Sequence, residues 1–228
     1  MRQFSNEHVA AVVVTALAAV LLVLAARRRG EGWAVHASYA LAVVIAIAYA
    51  TEYLVNALDG TWSARFNLPL QLTDAVALVS IVALCTARQV LVEVLYFWAL
   101  TASIQAVITP DLDEAFPSLL YFTYFIVHSG AVTAACLLVF GRGLIPRAGA
   151  MWRAYGVTAA FAVLAGVADL LTGGNYMFLR EKPVRASLLD VMGPWPWYIV
   201  AGAVVALALF LALAWPARAL RARGRGAR

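Results

Sequence analysis

Three residues with a capacity for chemistry lie inside apolar stretches of the sequence: Thr73, Asp74 and His128. Thr73 and Asp74 are neighbours in the segment FNLPLQLTDAVALVS, and His128 interrupts the apolar run 118–140. A carboxylate at membrane depth costs about 3 kcal/mol on insertion scales, so it indicates a functional site. An imidazole transfers protons near neutral pH, and a hydroxyl beside such a base can act as a nucleophile. Proton transfer and nucleophilic attack are the chemistry that this set allows.

Each of these residues also has a simpler interpretation. A histidine inside a membrane helix is often a hydrogen-bonded packing residue. A helical threonine usually donates its hydroxyl to the carbonyl four residues earlier, which for Thr73 is that of Pro69. Asp74 stands near a predicted helix start, where the helix dipole favours the ionised form and the carboxylate can serve as a structural hydrogen-bond hub. The residues alone leave both interpretations open.

Further polar residues share helix faces at a similar depth. The spacing i, i+3, i+4 and i+7 places Tyr49, Glu52, Tyr53 and Asn56 in one stripe, which cannot point at lipid. Carboxylates at this depth are available to orient the imidazole ring of His128. We therefore predict a polar cavity that several helices line and that apolar helix halves close from below. The remaining side chains placed near this depth are Gln71, Gln105, Tyr124 and Asp169.

Hydropathy predicts the elements that must position these residues. The chain has 228 residues, of which 64% are hydrophobic and 13% charged, and its mean hydropathy is +0.84, which is typical of an integral membrane protein. A membrane-crossing helix needs roughly 17 to 25 apolar residues. We predict an all-α fold, a single membrane domain with seven transmembrane helices, the third starting with Asn67 as its N-cap and Pro69 in its first turn. The seven runs are 9–26, 34–57, 68–86, 90–109, 118–140, 151–172 and 195–215.

The basic residues predict the orientation. They lie between and beyond the apolar runs, so they set topology and do not indicate nucleic-acid binding. With the N-terminus outside and the C-terminus in the cytoplasm, the cytoplasmic side carries 12 of the 17 Arg and Lys residues, and Glu93 near that side pairs with Arg88. The tail 216–228 is predicted to lie disordered along anionic lipid headgroups. The twelve are Arg27, Arg28, Arg29, Arg88, Arg142, Arg147, Arg153, Arg218, Arg221, Arg223, Arg225 and Arg228.

Several functional classes are excluded by what the spans contain. A retinal protein needs a lysine in a span, whereas Lys182, the only lysine, lies in the loop 173–194. A zinc hydrolase needs several histidines in the core, whereas His8 and His36 fall at helix ends on opposite sides. No internal symmetry indicates an inverted-repeat transporter. We expect no cofactor and no metal, and the sequence does not indicate an oligomeric state.

Four segments carry a resemblance to a known family: LPLQLTD, FPSLLYFTYFIVHSG, LTGGNYMFLREKP and SLLDVMGPWPWY. They resemble the YwaF-like integral membrane proteins, a bacterial branch of the group that includes animal transmembrane protein 164, which is regarded as a phospholipid acyltransferase with a Cys nucleophile and a His partner. The family form Leu-Pro-Leu-His-Leu-Cys falls on 68–73. Gln71 therefore stands in place of the family His and Thr73 in place of the family Cys, whereas His128 is kept.

The resemblance implies acyl transfer or ester hydrolysis on phospholipid acyl chains in a bacterial cell membrane. Thr for Cys leaves two interpretations open, a Thr nucleophile, as in the androgen-induced-gene-1-like lipases, or a member without catalysis. In the first, Thr73 attacks an acyl ester and His128 moves the proton. Asp74 or Asp169 would orient the imidazole, and Gln71, Gln105 or Asn175 would donate a hydrogen bond to the oxyanion. Glu52 and Tyr124 would line the pocket. Arg180, Lys182 and Arg185 would bind the headgroup phosphate from a loop that can act as a lid.

Two other hypotheses remain, and one geometric objection. A non-enzymatic transporter or binder would use Glu52, Asp74, His128 and Asp169 to bind a small cation or relay protons, and it predicts a polar path continuing past Glu93. An interaction scaffold predicts that the polar groups pair off with no cavity between them. Counting helical rise places Thr73 about 7 to 9 Å and His128 about 15 Å below the surface, which predicts a difference in depth.

Overall fold

The computed structural model describes residues 4–112, 114–183 and 187–226, and it describes side chains as far as residue 222. Over these residues the only regular secondary structure is helical. Arg2, Asp113, Arg185 and Arg228 lie outside the described residues, as do the side chains of Arg223 and Arg225. We number seven helices in chain order, and two short 3-10 turns, Tyr176–Phe178 and Leu188–Val191, lie in the loop before the last. The helices are α1 (Asn6–Arg29), α2 (Glu31–Leu58), α3 (Leu72–Thr86), α4 (Gln89–Ile108), α5 (Leu119–Gly141), α6 (Ala150–Thr172) and α7 (Trp197–Gly226).

Six of the seven helices are long and apolar enough to cross a membrane, and α3 is the exception. It has 15 residues, which corresponds to about 22 Å of helix. The bounds of the other six lie close to the predicted runs, because long apolar segments have no alternative to the helix in lipid. The chain is therefore an all-α protein with six candidate spans.

The predicted start of the third helix is wrong. The helix begins at Leu72 with Gln71 as its N-cap, so Pro69 precedes the helix. The reason is tertiary, because the Asn67 side-chain oxygen accepts from the Ser63 N–H and the Leu68 N–H donates to the hydroxyl of Tyr176 at 2.8 Å. These bonds hold the segment before α3 out of the helix.

Two ends of the bundle can be distinguished by their contacts. At the basic end, Arg27 Nε donates to the Phe140 carbonyl and Gln89 Nε2 to the Ile145 carbonyl. At the opposite end, which we call the loop end, a ring nitrogen of His8 lies 2.9 Å from the carbonyl oxygen of Val107. Residues 216–226 of the tail are helical, whereas the sequence predicts disorder, because α7 continues through Pro216 to Gly226.

The centre of the bundle is formed by α4 and α5. Within the most apolar 18 residues of each helix, 56% of the residues are buried in α4 and 67% in α5. The corresponding fraction is 17% in α1, α2, α6 and α7, so these four are the outer helices. Close packing brings α2 against α5, since a Cβ added at Gly130 would lie 2.7 Å from Ile45 Cγ1. Because Gly130 follows His128 by two residues, this approach fixes the helix that carries the histidine.

Glu93 is fully buried at the basic end and does not pair with Arg88 as predicted. Its Oε1 accepts from Arg147 Nε at 2.8 Å and from the Arg147 backbone N–H at 3.0 Å. Its Oε2 accepts from Arg153 Nη2 at 2.8 Å and Nε at 2.9 Å. Two guanidinium groups from beyond α5 thus neutralise a carboxylate on α4, and Arg88 is the N-cap residue of α4.

Candidate functional site

A polar cavity of about 170 Å³ lies between α2, the start of α3 and α5 near the loop end. It brings together Thr73, Asp74 and His128, the three residues that the sequence singles out. The predicted stripe on α2 points into it, which confirms that this face does not point at lipid. The lining residues are Tyr49, Glu52, Tyr53, Asn56, Phe66, Asn67, Leu68, Gln71, Thr73, Asp74, Tyr124, Val127 and His128.

The hydroxyl of Thr73 has no hydrogen-bond partner among the described residues. Other helical hydroxyls bond to the carbonyl four residues back, as those of Ser80 and Thr86 do on the same helix. Thr73 cannot follow that pattern, because α3 begins only one residue before it and Pro69 is outside the helix. The late helix start therefore leaves the Thr73 side chain at the cavity without a bond to its own helix.

His128 is 7% exposed, and its ring makes no hydrogen bond within the part of the chain that the structure describes. Its Nδ1 is buried and unpartnered. The ring is held instead by the Tyr124 ring, which meets it edge-on with centroids 4.3 Å apart, while the Tyr124 hydroxyl donates to the Ala106 carbonyl. A hydrogen-bonded packing role for His128 is therefore not what the structure shows.

Thr73 and His128 line the same cavity, so the predicted difference in depth does not keep them apart. No carboxylate within the described ranges bonds to the imidazole, and Asp74 and Glu52 share only the cavity with it. The cavity lining contains both of these carboxylates and no Lys or Arg. Neither cysteine of the chain lines it. The candidate nucleophile is the threonine hydroxyl, in a cavity lined by two carboxyl groups.

Asp74 and Gln71 organise the start of α3. An oxygen of Asp74, Oδ2, accepts from the Gln71 backbone N–H at 3.1 Å, as in a capping box. The Gln71 side-chain oxygen accepts from the Met177 backbone N–H at 2.8 Å. Because Oε1 is engaged in this way, the NH₂ group is the end of the amide that can donate into the cavity.

Three of the predicted site residues lie elsewhere. Asp169 is buried at the end of α6, and its Oδ1 accepts from the Tyr176 N–H at 2.7 Å. Asn175 closes a turn of the loop through its side-chain oxygen, which accepts from the backbone N–H groups of Arg180 and Glu181. Gln105 donates to Thr109 Oγ1 at 2.7 Å on α4. None of the three lines the cavity, so we assign them no part in orienting the imidazole or binding an oxyanion.

The cationic side chains of the loop also point away from the cavity. Arg180 Nη1 donates to the carbonyl oxygens of Asp169 and Gly174, and Lys182 Nζ lies 3.4 Å from the Asp190 carbonyl oxygen and 5.6 Å from the centroid of the Tyr198 ring. These contacts connect the loop to the end of α6 and to other parts of the loop. The third predicted phosphate ligand, Arg185, lies outside the described residues.

A wider cleft of about 750 Å³ lies beside the polar cavity, between α4, α6, α7 and the loop. Leu72 lines this cleft, whereas its neighbours Gln71 and Thr73 line the cavity, so the first turn of α3 separates the two. The side chains of Gln105, Leu188 and Met192 are among those at the cleft. The described residues of the loop therefore border the apolar cleft, and none of them lines the polar cavity.

Sequence reasoning missed Tyr176, which organises this region. It is 1% exposed, and its hydroxyl donates to the Ala64 carbonyl at 2.8 Å while accepting from the Leu68 N–H. Burial raises the pKa of this hydroxyl, so it stays protonated near neutral pH. The signal that could have revealed it is its place in the NYMFL segment that carries the family resemblance.

Comparison with known proteins identifies the wider group. The family model of the TMEM164 family matches residues 3–214, nearly the whole chain. This match confirms the resemblance to the transmembrane protein 164 group and, with the six apolar helices, indicates a multi-pass membrane protein. No curated protein and no solved structure shows significant similarity to the chain.

Proposed function

The chain belongs to the TMEM164 family, and from that premise we propose that it is an intramembrane acyltransferase or ester hydrolase acting on phospholipid acyl chains. One observation carries the proposal. A hydroxyl and an imidazole, both without a hydrogen-bond partner among the described residues, line one polar cavity. Of the two, the Nδ1 of His128 is also buried, and burying an unpaired polar atom costs free energy, which supports a role for it with a substrate.

In the proposed reaction Thr73 Oγ attacks the carbonyl carbon of an acyl ester while a ring nitrogen of His128 takes the hydroxyl proton. The ester C–O bond then breaks, and the imidazolium returns the proton to the oxygen of the leaving alcohol. The acyl group stays on Thr73 as an ester. An acceptor alcohol, or water in hydrolysis, attacks that ester, with His128 again taking the proton and then returning it to Thr73 Oγ.

Charge in this cavity favours the intermediate states of that reaction. The carboxylates of Asp74 and Glu52 stabilise the imidazolium electrostatically, although neither is bonded to it. The NH₂ group of Gln71 donates to the tetrahedral oxyanion in this proposal, which is supported by the bond from the Met177 N–H to the amide oxygen, because that bond leaves the NH₂ group to donate. An apolar cleft within the size range of ligand pockets, across the first turn of α3, supports a lipid substrate.

The proposal is tested with purified protein in bilayers of defined phospholipids, with mass spectrometry of the products. Thr73→Ala and His128→Ala are expected to lower turnover about a thousandfold or more. Thr86→Ala and His36→Ala are matched controls, because both residues bond to the carbonyl four residues back and line no part of the cavity. Thr73→Cys restores the residue that the family resemblance implies, and it is expected to retain turnover and to become sensitive to thiol alkylation.

Two results would contradict different parts of the proposal. Unchanged lipid profiles in wild type, Thr73→Ala and His128→Ala would refute acyl transfer. Equal turnover in wild type and Thr73→Ala, together with loss in His128→Ala, would refute only the threonine as nucleophile.

The second candidate is a binder of small cations or protons, favoured by the two carboxylates in a cavity without Lys or Arg. Conduction to the other side is disfavoured, because Glu93 is engaged by Arg147 and Arg153 and no lining residue connects it to His128. Proton uptake by proteoliposomes that depends on Asp74 and Glu52 but not on Thr73 would favour this candidate over the enzyme.

The same proposal includes the topology. We propose one membrane domain in which α3 and the segment before it complete a seventh crossing, with the N-terminus outside and the basic end in the cytoplasm of a bacterial cell. The concentration of arginines at that end supports this orientation. In a Cys85→Ser background, a membrane-impermeant thiol reagent added outside cells is expected to label Glu114→Cys and not Ala148→Cys; the reverse pattern would invert the topology.

A further inference from the structure

A second cavity, of about 90 Å³, lies at the basic end between α7, the start of α6 and the turn before it. Three of its lining residues are arginines: Arg147, Arg218 and Arg221. Arg221 Nη1 donates to the Pro146 carbonyl, which holds that side chain across the turn. Arg218 has no ion pair among the described residues. The cavity is thus bordered by guanidinium groups from two parts of the chain.

The charge around this cavity is not balanced. The carboxylate of Glu93 pairs with Arg147, which lines the cavity, and also with Arg153. Glu31, the other acid bonded at this end, pairs with Arg142 at 2.7 Å. Glu93 thus pairs with Arg147 and Arg153, whereas Arg218 and Arg221 have no ion pair among the described residues, and an anion bound in the cavity would offset their positive charge.

The backbone adds donors at the same place. Gly149 is the N-cap of α6, and no side chain caps that helix. The N–H groups of Met151 and Trp152, both lining residues, have no backbone acceptor among the described residues. N–H groups of a first helical turn bind phosphate well when cationic side chains stand beside them, as they do here.

We infer that this cavity binds the phosphate group of an anionic membrane lipid. Its volume of about 90 Å³ accommodates a group of the size of a phosphate. Apolar residues line the same cavity beside the arginines: Trp152, whose side chain is 62% exposed, Ala214 and Ala217. A lipid places its phosphate beside such a surface and its chains along it, whereas a free phosphate ion gains nothing from it. The site is independent of the polar cavity and of the proposed reaction.

The test uses the full chain in nanodiscs of phosphatidylcholine with a minor fraction of phosphatidylglycerol, followed by native mass spectrometry of retained lipid. The double variant Arg218→Gln/Arg221→Gln is expected to retain phosphatidylglycerol roughly 30-fold more weakly than wild type. The control is Arg28→Gln, an exposed arginine at the same end outside the cavity, which is expected to bind as wild type does. Arg147 is left unchanged because it holds Glu93.

Thermal unfolding in detergent distinguishes binding of a lipid phosphate from binding of a free phosphate ion. Phosphatidylglycerol is expected to raise the Tm of wild type but not of the double variant, while inorganic phosphate leaves both unchanged. Equal loss of lipid in Arg28→Gln would mean general surface attraction and would overturn the site. A Tm rise with inorganic phosphate that the double variant loses would assign the cavity to the free ion and overturn the lipid.

Discussion

The two ends of the bundle treat buried polar groups in opposite ways. At the basic end the Glu93 carboxylate accepts hydrogen bonds from two arginines, and both of its oxygens are engaged. Near the loop end His128 is almost as deeply buried, yet its ring has no hydrogen-bond partner among the described residues. A paired group serves the fold, whereas an unpaired group in a cavity costs stability and is available to a substrate.

The largest expected effect separates stability from activity at His128. His128→Phe keeps an aromatic ring of similar size beside Tyr124 and removes the unpartnered Nδ1. We expect turnover to fall about a thousandfold or more while the free energy of unfolding stays the same or rises by about 1 kcal/mol. Denaturant titration and the lipid assay on the same preparation check this, and a large loss of stability would mean that the imidazole is structural.

The opposite result is expected at Glu93. Glu93→Gln leaves Arg147 and Arg153 without a counter-charge and is expected to lower the free energy of unfolding by about 3 kcal/mol. At a permissive temperature turnover is expected to remain within about twofold, because Glu93 does not line the polar cavity. Glu31→Gln, which breaks the more exposed pair with Arg142, is the control and is expected to cost at most about 1 kcal/mol. Equal costs for the two variants would break the contrast between the ends.

A smaller effect is expected where the loop supports the site. Tyr176→Phe removes the hydrogen bonds to the Ala64 carbonyl and from the Leu68 N–H. We expect a loss of about 1 to 2 kcal/mol in unfolding free energy and a fall of several-fold in turnover, because the start of α3 is no longer fixed. A stability loss with unchanged turnover would show that the position of α3 tolerates this change.

The smallest effect is expected at Gln105. Its side chain bonds to Thr109 and lines the wide cleft, so Gln105→Leu is expected to change turnover on short-chain esters by less than about twofold. Gln71→Leu is the comparison, with an expected loss of about a hundredfold if its NH₂ group binds the oxyanion. A larger loss for Gln105→Leu than for Gln71→Leu would move the oxyanion site to α4.

Periodicity and hydropathy predict features that are set within a single helix, namely its approximate bounds and which of its faces is polar. The long apolar runs gave six helices close to their predicted bounds, and the stripe of Glu52 and its neighbours on α2 faces the cavity as expected. They do not predict partners far apart in sequence. Arg147 and Arg153 take Glu93 because the chain turns back after α5, and Asp169 is drawn to the backbone of Tyr176 for the same kind of reason.

The state of Thr73 depended on such a distant partner too. From the sequence alone its hydroxyl is expected to bond to the Pro69 carbonyl, as in an ordinary helix. The Tyr176 hydroxyl, more than a hundred residues away, bonds to Leu68 and belongs to the contacts that keep this stretch out of the helix. The bond expected from Thr73 to the Pro69 carbonyl is therefore absent among the described residues, because Pro69 precedes the helix.

The bond between the Met177 N–H and the Gln71 side chain has a consequence for how this protein tolerates change. Surface loops usually accept insertions without affecting the rest of a fold. Here the stretch that follows α6 is held by two bonds, since the Tyr176 N–H donates to Asp169 on α6 and the Met177 N–H donates to Gln71 at the start of α3. These bonds constrain its length, so an epitope tag inserted there is expected to displace the start of α3 and with it Thr73.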